Sequence, residues 1–322
     1  MSDSFMLSMF SLAMFLGSYL SGLFPLGFNL SETKMRYVTV LGAGLLVGTA
    51  LAVIIPEGVN ALYTAEMGGH QETHSDHKIV RRHLNEVKPD KDDKIQSAHQ
   101  HPDDQPKHLH SESEHKHTDS IHSTIGITLV LGFVFMLIID NCSSRIIHRH
   151  GSQVIDSSGS VIITKPKSTW TATLGLIVHA AADGIALGAA SATSRFNVEL
   201  IVFMAIILHK APAAFGLVSF LLSDGVDRKR IRRHLLIFSL AAPVMAIFTF
   251  VLLKSGLRDS YSVDSTGIAM LFSAGTFLFV ATVHILPEVQ SHFDDRQFRA
   301  VELLILILGC CFPIVLSMGH KH

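Results

Sequence analysis

The chain is poor in the features that hold small secreted or catalytic domains together. Its 322 residues include three cysteines, Cys142, Cys310 and Cys311, too few for a disulfide framework. They fall at or inside apolar runs and read as packing residues rather than ligands or redox centres. The paired Cys and His spacing of a folded zinc finger is missing. So is H-E-x-x-H, and so are the clustered histidine boxes of di-iron membrane oxidases, which sets aside an intramembrane metalloenzyme and gives a non-enzyme reading. Charged residues amount to 16%, lie mostly in loops and leave a net charge of −1, and nothing in them points to nucleic acid. No basic segment precedes the first apolar run, where only Met1, Ser2, Asp3 and Ser4 stand, so that run reads as a retained span rather than a secretory signal.

What the chain does have is apolar length. Hydrophobic residues make up 48% of it and are gathered into stretches. A helix crossing the hydrocarbon core needs about 20 mostly apolar residues. Eight stretches qualify: Phe5–Phe28, Tyr37–Pro56, Ile121–Ile139, Ser168–Ala190, Leu200–Leu222, Leu235–Leu253, Ser265–Pro287 and Leu303–Met318. The expected fold is an all-α polytopic membrane protein of eight transmembrane helices in a lipid bilayer. Its parts are helices one and two over 1–64, a polar loop over 65–120 and helix three over 121–142. A cytosolic loop over 143–167 and helices four to eight over 168–322 complete it. Lys and Arg in short loops set the orientation. Thirteen fall on one side, among them Lys34, Arg36, Arg145 and the cluster Arg228–Arg233, against Arg195, Lys254, Arg258 and Lys321 on the other. Both termini are therefore expected outside the cytosol. The sequons at Asn29 and Asn141 then face the cytosol and stay unmodified.

The loop from Ala65 to Ser120 carries no helical or strand periodicity and little to bury, so it is expected to be disordered. It is rich in histidine, with His-x-His pairs at His99/His101, His108/His110 and His115/His117. One reading is a loose, multivalent metal collector, since neutral imidazole is a good ligand for zinc and its neighbours. The plainer reading is a solvated tract.

Two apolar runs hold ionisable residues at their centres. One contains His179 and Asp183, and the next contains His209, Lys210 and Pro212. Such groups at bilayer depth cost about 2.5–3.5 kcal/mol each and mark ion or substrate paths. His179 and Asp183 stand i,i+4 on one helix face. His209 comes from the adjoining span, so two imidazoles and a carboxylate converge between helices. That set suits Zn²⁺, whereas Ca²⁺ and Mg²⁺ ask for more oxygen ligands. Ligand type alone does not separate Zn²⁺ from Fe²⁺, Mn²⁺ or Cd²⁺. Pro212 lacks a backbone donor and crowds the Leu208 carbonyl, a place for a helix kink beside His209. Lys210 either pairs with Asp183 or occupies the place of a second cation. A buried polar network that only fixes packing is the alternative for the whole cluster.

An internal echo joins spans two and seven. Ile-Ile-Pro-Glu ends one at Glu57 and Ile-Leu-Pro-Glu ends the other at Glu288, each after a Gly-Thr pair, Gly48-Thr49 and Gly275-Thr276. Opposite direction in an eight-span chain makes this a sign of inverted repeats, with binding at the midplane. Glu57 then sits at the outer mouth, with His284 and Glu288 at the inner mouth, as path or gate residues. Interfacial solvation of a helix end is their plainer reading. Gly44-x-x-x-Gly48 and Gly184-x-x-x-Gly188 mark tight helix packing.

The strings H-A-A-A-D-G, H-K-A-P-A-A-F-G and the two Pro-Glu ends together resemble the ZIP (Zrt/Irt-like) metal transporters, and the fuller strings around them the subfamily of the ninth mammalian member. The resemblance covers all eight spans. It implies Zn²⁺ as transported substrate, moved into the cytosol from outside or from an organelle lumen in the service of metal homeostasis, with no organic cofactor. It implies His179, Asp183 and His209 as ligands of the transported metal. Many members carry Asn at the position of Ala180 and a carboxylate at that of Lys210. These replacements imply one metal here instead of two. Golgi and trans-Golgi network or plasma membrane placement also follows from the resemblance alone. So does an alternative role as a membrane androgen receptor with a G protein as partner. A homodimer is left open.

Neutral imidazole binds metal and imidazolium does not. With a reference value of about 6.5 for histidine, ligation is complete above that range and lost as pH falls through it. Metal uptake by the protein in vesicles should therefore decline between pH 7 and pH 5, and undiminished uptake well below pH 5 would contradict imidazole ligation.

Overall fold

A computed structural model describes residues 3–28, 31–64, 111–150, 154–155, 161–162, 168–193, 196–255, 263–291 and 298–318. Eight helical rods account for nearly all of them. Helix α1 is Asp3–Leu26 and α2 is Glu32–Thr64. Helix α3 is Ser111–His150, α4 is Ser168–Ala192, α5 is Phe196–Ser223 and α6 is Arg228–Lys254. Helix α7 starts at Val263 and reaches Ser291, and α8 is Ala300–Met318. Seven of the rods are long and apolar enough to cross a membrane, and the apolar part of α8, Ala300–Val315, is shorter. The outward faces carry large apolar side chains, such as Val130, Val134 and Ile138 on α3 and Val244, Phe248 and Val251 on α6. An apolar exterior of this kind suits hydrocarbon rather than water.

Three boundaries differ from the sequence reading. The polar loop was expected to run irregularly to Ser120, but α3 is helical from Ser111, so the backbones of His115 and His117 are helical. His99, His101, His108 and His110 lie outside the described residues. The expected cytosolic loop begins later, because α3 continues to His150. It contains a short antiparallel ribbon, β1 (Val154–Ile155) with β2 (Val161–Ile162), in the register Val154↔Ile162 and Ile155↔Val161. This is the one departure from an all-helical chain among the described residues.

The third difference concerns the Pro-Glu sequences, which do not end their helices. Each proline is preceded by a wider turn with i→i+5 bonding, over Ala50–Ile54 in α2 and Val280–Ile285 in α7. The amide of Ile55 donates to the Ala50 carbonyl, and that of Leu286 donates to the Ala281 carbonyl. Proline removes one donor and crowds the carbonyl four residues earlier, and an inserted residue relieves that crowding without breaking the rod. Counted back from Pro56 and Pro287, the residue equivalent to Gly275 is Gly44, one turn before the Gly48 of the Gly-Thr pair.

The main packing pairs are α4 with α6, α5 with α1, α8 with α2, α3 with α7, α2 with α5, and α7 with α4. Helices α1 and α6 also touch, as do α4 and α5. Exchanging one with six, two with seven, three with eight and four with five maps this set onto itself. Two close crossings repeat the pattern. A Cβ placed on Gly44 would lie 3.1 Å from Gly309 Cα and strike the Leu306 carbonyl oxygen. One placed on Gly275 would lie 3.1 Å from Gly132 Cα and strike the Leu129 carbonyl oxygen. Gly184 and Gly188 of α4 meet the carbonyl oxygens of Ala242 and Ala246 on α6 in the same way.

These crossings leave no room for a methyl group, and overpacking of this kind costs about 1–3 kcal/mol. Gly275→Ala and Gly44→Ala should each lower the midpoint of thermal unfolding of the detergent-solubilised protein. Gly126→Ala is the comparison, because a Cβ there meets nothing within 4 Å, and it should unfold at or above the native midpoint.

Candidate metal centre

The helix period places His179 and Asp183 one turn apart on α4, on the side facing α5 and α7. Helix α5 contributes His209 and Lys210, and α7 contributes Ser273. All four ionisable residues are at most 3% exposed, and Ser273 is fully buried. Their positions follow from the close α4–α6 and α3–α7 crossings, which set the rods around the centre.

Asp183 Oδ2 is the focus. It lies 3.3 Å from His179 Nε2, 3.1 Å from His209 Nε2 and 3.5 Å from Lys210 Nζ. Its other oxygen, Oδ1, accepts a 2.6 Å hydrogen bond from Ser273 Oγ. One ligand atom from each of His179, Asp183 and His209 falls within 4.8 Å of the others.

The far nitrogens decide which atoms are free to bind. His209 Nδ1 is 2.8 Å from the Ala205 carbonyl oxygen, and a carbonyl only accepts, so the proton sits on Nδ1. His179 Nδ1 is 2.8 Å from Ser273 Oγ and 3.2 Å from the Ser273 carbonyl oxygen. Ser273 gives its own hydroxyl proton to Asp183, so His179 Nδ1–H donates to it. In both neutral rings the lone pair is therefore on Nε2. Two nitrogen lone pairs and a carboxylate oxygen point at one small volume, an arrangement that repels itself unless a cation or protons intervene. Anchoring Nδ1 to a carbonyl or hydroxyl is also the usual way of orienting a metal-binding imidazole. The Phe277 ring, 4.4 Å from the His179 ring between centroids, closes one side with apolar surface.

Ala180 is fully buried and offers no donor, and it lies in the apolar core with Ala213, Ala214 and Phe277. Pro212 sits within the continuous helix α5, and Ser21 Oγ of α1 donates to the Ala211 carbonyl just before it. Glu57 and Glu288 are half-buried and do not belong to the cluster. His284 Nε2 is instead 3.1 Å from Asp140 Oδ1 of α3. Ser273 and Asp140 escaped the sequence reading. Ser273 is a small polar residue in an apolar run, 94 positions from His179 and with no periodic relation to it. Asp140 stands at the polar end of the third run, just after Ile139.

A bundle of membrane-length apolar helices around a buried His-Asp-His cluster defines a class, the membrane carriers of divalent metal. Residues 66–317 match the family described as ZIP Zinc transporter. Zinc transporter ZIP9 of Micropogonias undulatus is 48% identical over 332 residues that span 100% of both chains. Zinc transporter ZIP9-A of Xenopus laevis is 49% identical over the same extent. Zinc transporter SLC39A7 of Canis lupus familiaris is 28% identical over 148 residues, 45% of this chain and 30% of that one. The chain belongs to the ZIP zinc transporter family, its full-length likeness within it is to ZIP9 members, and its function is zinc transport across a membrane.

Ser273 holds one imidazole and one carboxylate oxygen at once. Loss of such an outer partner typically costs about 10–100-fold in metal affinity. Ser273→Ala should raise the KM for zinc uptake into that range while leaving the amount of folded protein unchanged, as judged by size-exclusion chromatography.

Proposed function

We propose that Zn²⁺ passes from the exterior or an organelle lumen into the cytosol through a single-metal site made of His179, Asp183 and His209. The observation that carries this is the convergence of two Nε2 lone pairs on Asp183 Oδ2, with both Nδ1 atoms already engaged. Three protein ligands leave one tetrahedral position open, which permits the exchange that a carrier needs. One metal instead of two is favoured by Ala180, which cannot ligate, and by the Lys210 ammonium at 3.5 Å. Fe²⁺, Mn²⁺ and Cd²⁺ fit the same donors.

The frame of this reading has eight spans, both termini outside the cytosol, and two inverted halves. The self-mapping of the packing pairs and the Gly44/Gly275 equivalence support it, because helices exchanged by that mapping run in opposite directions in a serpentine chain. Alternating access then carries zinc past Glu57, through the centre, and out past His284 and Glu288. Golgi or plasma membrane placement rests on the resemblance.

The test is zinc entry into proteoliposomes of fixed orientation, comparing the native protein with His179→Ala, Asp183→Ala and His209→Ala. Each variant should fold and lose uptake by at least about 100-fold, as expected when a first ligand is removed rather than its supporting partner. A native rate in any of the three would remove that residue from the path.

A further inference from the structure

Lys210 is not one of the three proposed ligands, yet it is among the largest fully enclosed side chains of the bundle, at 1% exposure. Its ammonium touches the carboxylate oxygen on which both imidazoles converge, Oδ2 of Asp183, at 3.5 Å. It also lies 5.2 Å from the centre of the Phe238 ring on α6. The groups facing it are thus Asp183, the two histidines beyond that carboxylate, and one aromatic face.

Two cations compete for one oxygen. A metal bound by His179, Asp183 and His209 takes Oδ2, and an ammonium held at contact would then be repelled at short range in a poorly screened interior. When the metal departs, the same carboxylate is left buried, and an uncompensated buried charge is costly. Lysine carries its charge on a flexible four-carbon stem. The Phe238 ring offers a second resting place, since an ammonium over an aromatic face is favoured where water is excluded.

We propose that Lys210 is a tethered cation: it takes the metal's place on Asp183 in the empty transporter and withdraws over Phe238 when Zn²⁺ binds. The empty carrier then returns between its two facing states with the centre neutralised and no co-transported cation. This rests on the three-ligand site of the preceding section and adds to it the way the cycle is completed.

Net uptake requires an empty return, whereas exchange of labelled for unlabelled zinc across a loaded vesicle does not. The two are measured on the full-length protein in proteoliposomes at pH 8, where free imidazole is neutral. Lys210→Met should lower net uptake by about tenfold or more, because the resetting state has lost the partner of a buried charge, while exchange persists. Lys210→Arg should restore part of the net uptake. Phe238→Leu keeps the ion pair but removes the resting face, and should raise the KM for zinc by roughly threefold or more with the ratio of net uptake to exchange unchanged. Undiminished net uptake in Lys210→Met overturns the proposal. A parallel loss of both activities without rescue by Lys210→Arg also overturns it, in favour of a packing role. If Lys210→Met does not fold, Lys210→Gln is read by the same criteria and Phe238→Leu stands as the second test. Asp183→Ala is run alongside. If it transports normally the three-ligand site itself is wrong, and if it is silent while Lys210→Met behaves as native only the tethered cation is wrong.

Discussion

A single carboxylate oxygen, Asp183 Oδ2, imposes the chemistry of this protein. Buried among apolar helices, an ionised carboxylate is tolerated only with partners that match its charge. Its partners come from three helices: His179 from its own, His209 and Lys210 from α5, and Ser273 from α7. His209, Lys210 and His179 are themselves held, by the Ala205 carbonyl, the Phe238 ring and the Ser273 hydroxyl respectively. The outcome is a buried centre that offers a cation one carboxylate oxygen and two imidazole nitrogens.

The helices can meet around this oxygen because small residues let them approach. The crossings at Gly44/Gly309 and Gly132/Gly275 bring backbone to within van der Waals contact of backbone. Without a hydrophobic drive between helices in lipid, such close contact supplies much of the packing energy. The wide turns before Pro56 and Pro287 lie in the same two rods, α2 and α7. Wide turns of this kind are unusual and frequently occur near functional sites. Here they let proline, and the glutamate after it, sit inside a continuous helix instead of at its end.

Much of the candidate site was legible because its residues break a strong local pattern. His179, Asp183, His209 and Lys210 interrupt apolar runs, and the i,i+4 spacing of the first two needs no tertiary information. Ser273 was not legible, since a lone serine in an apolar helix costs little and carries no periodic mark. The span from Ser168 was placed correctly at its first residue, whereas α3 began at Ser111, because polar residues at a helix end do not disturb hydrophobic periodicity but also do not announce it. By sequence alone a Pro-Glu pair reads as a helix end, since proline usually is one. The inserted residue that spares the helix leaves no signature in composition.

The sequence by itself determined the class of solvent, the presence of several membrane-length apolar helices and the candidate metal-binding side chains His179, Asp183 and His209. These are properties of local hydrophobicity and of single residues that are expensive to bury. Tertiary structure alone decided which rods touch, that Gly44 and Gly275 both sit at close helix crossings, and that Ser273 reaches Asp183 while Phe238 lies beside Lys210. Those relations join residues far apart in the chain, and only the steric fit of one helix against another selects among the many pairings that hydrophobicity permits.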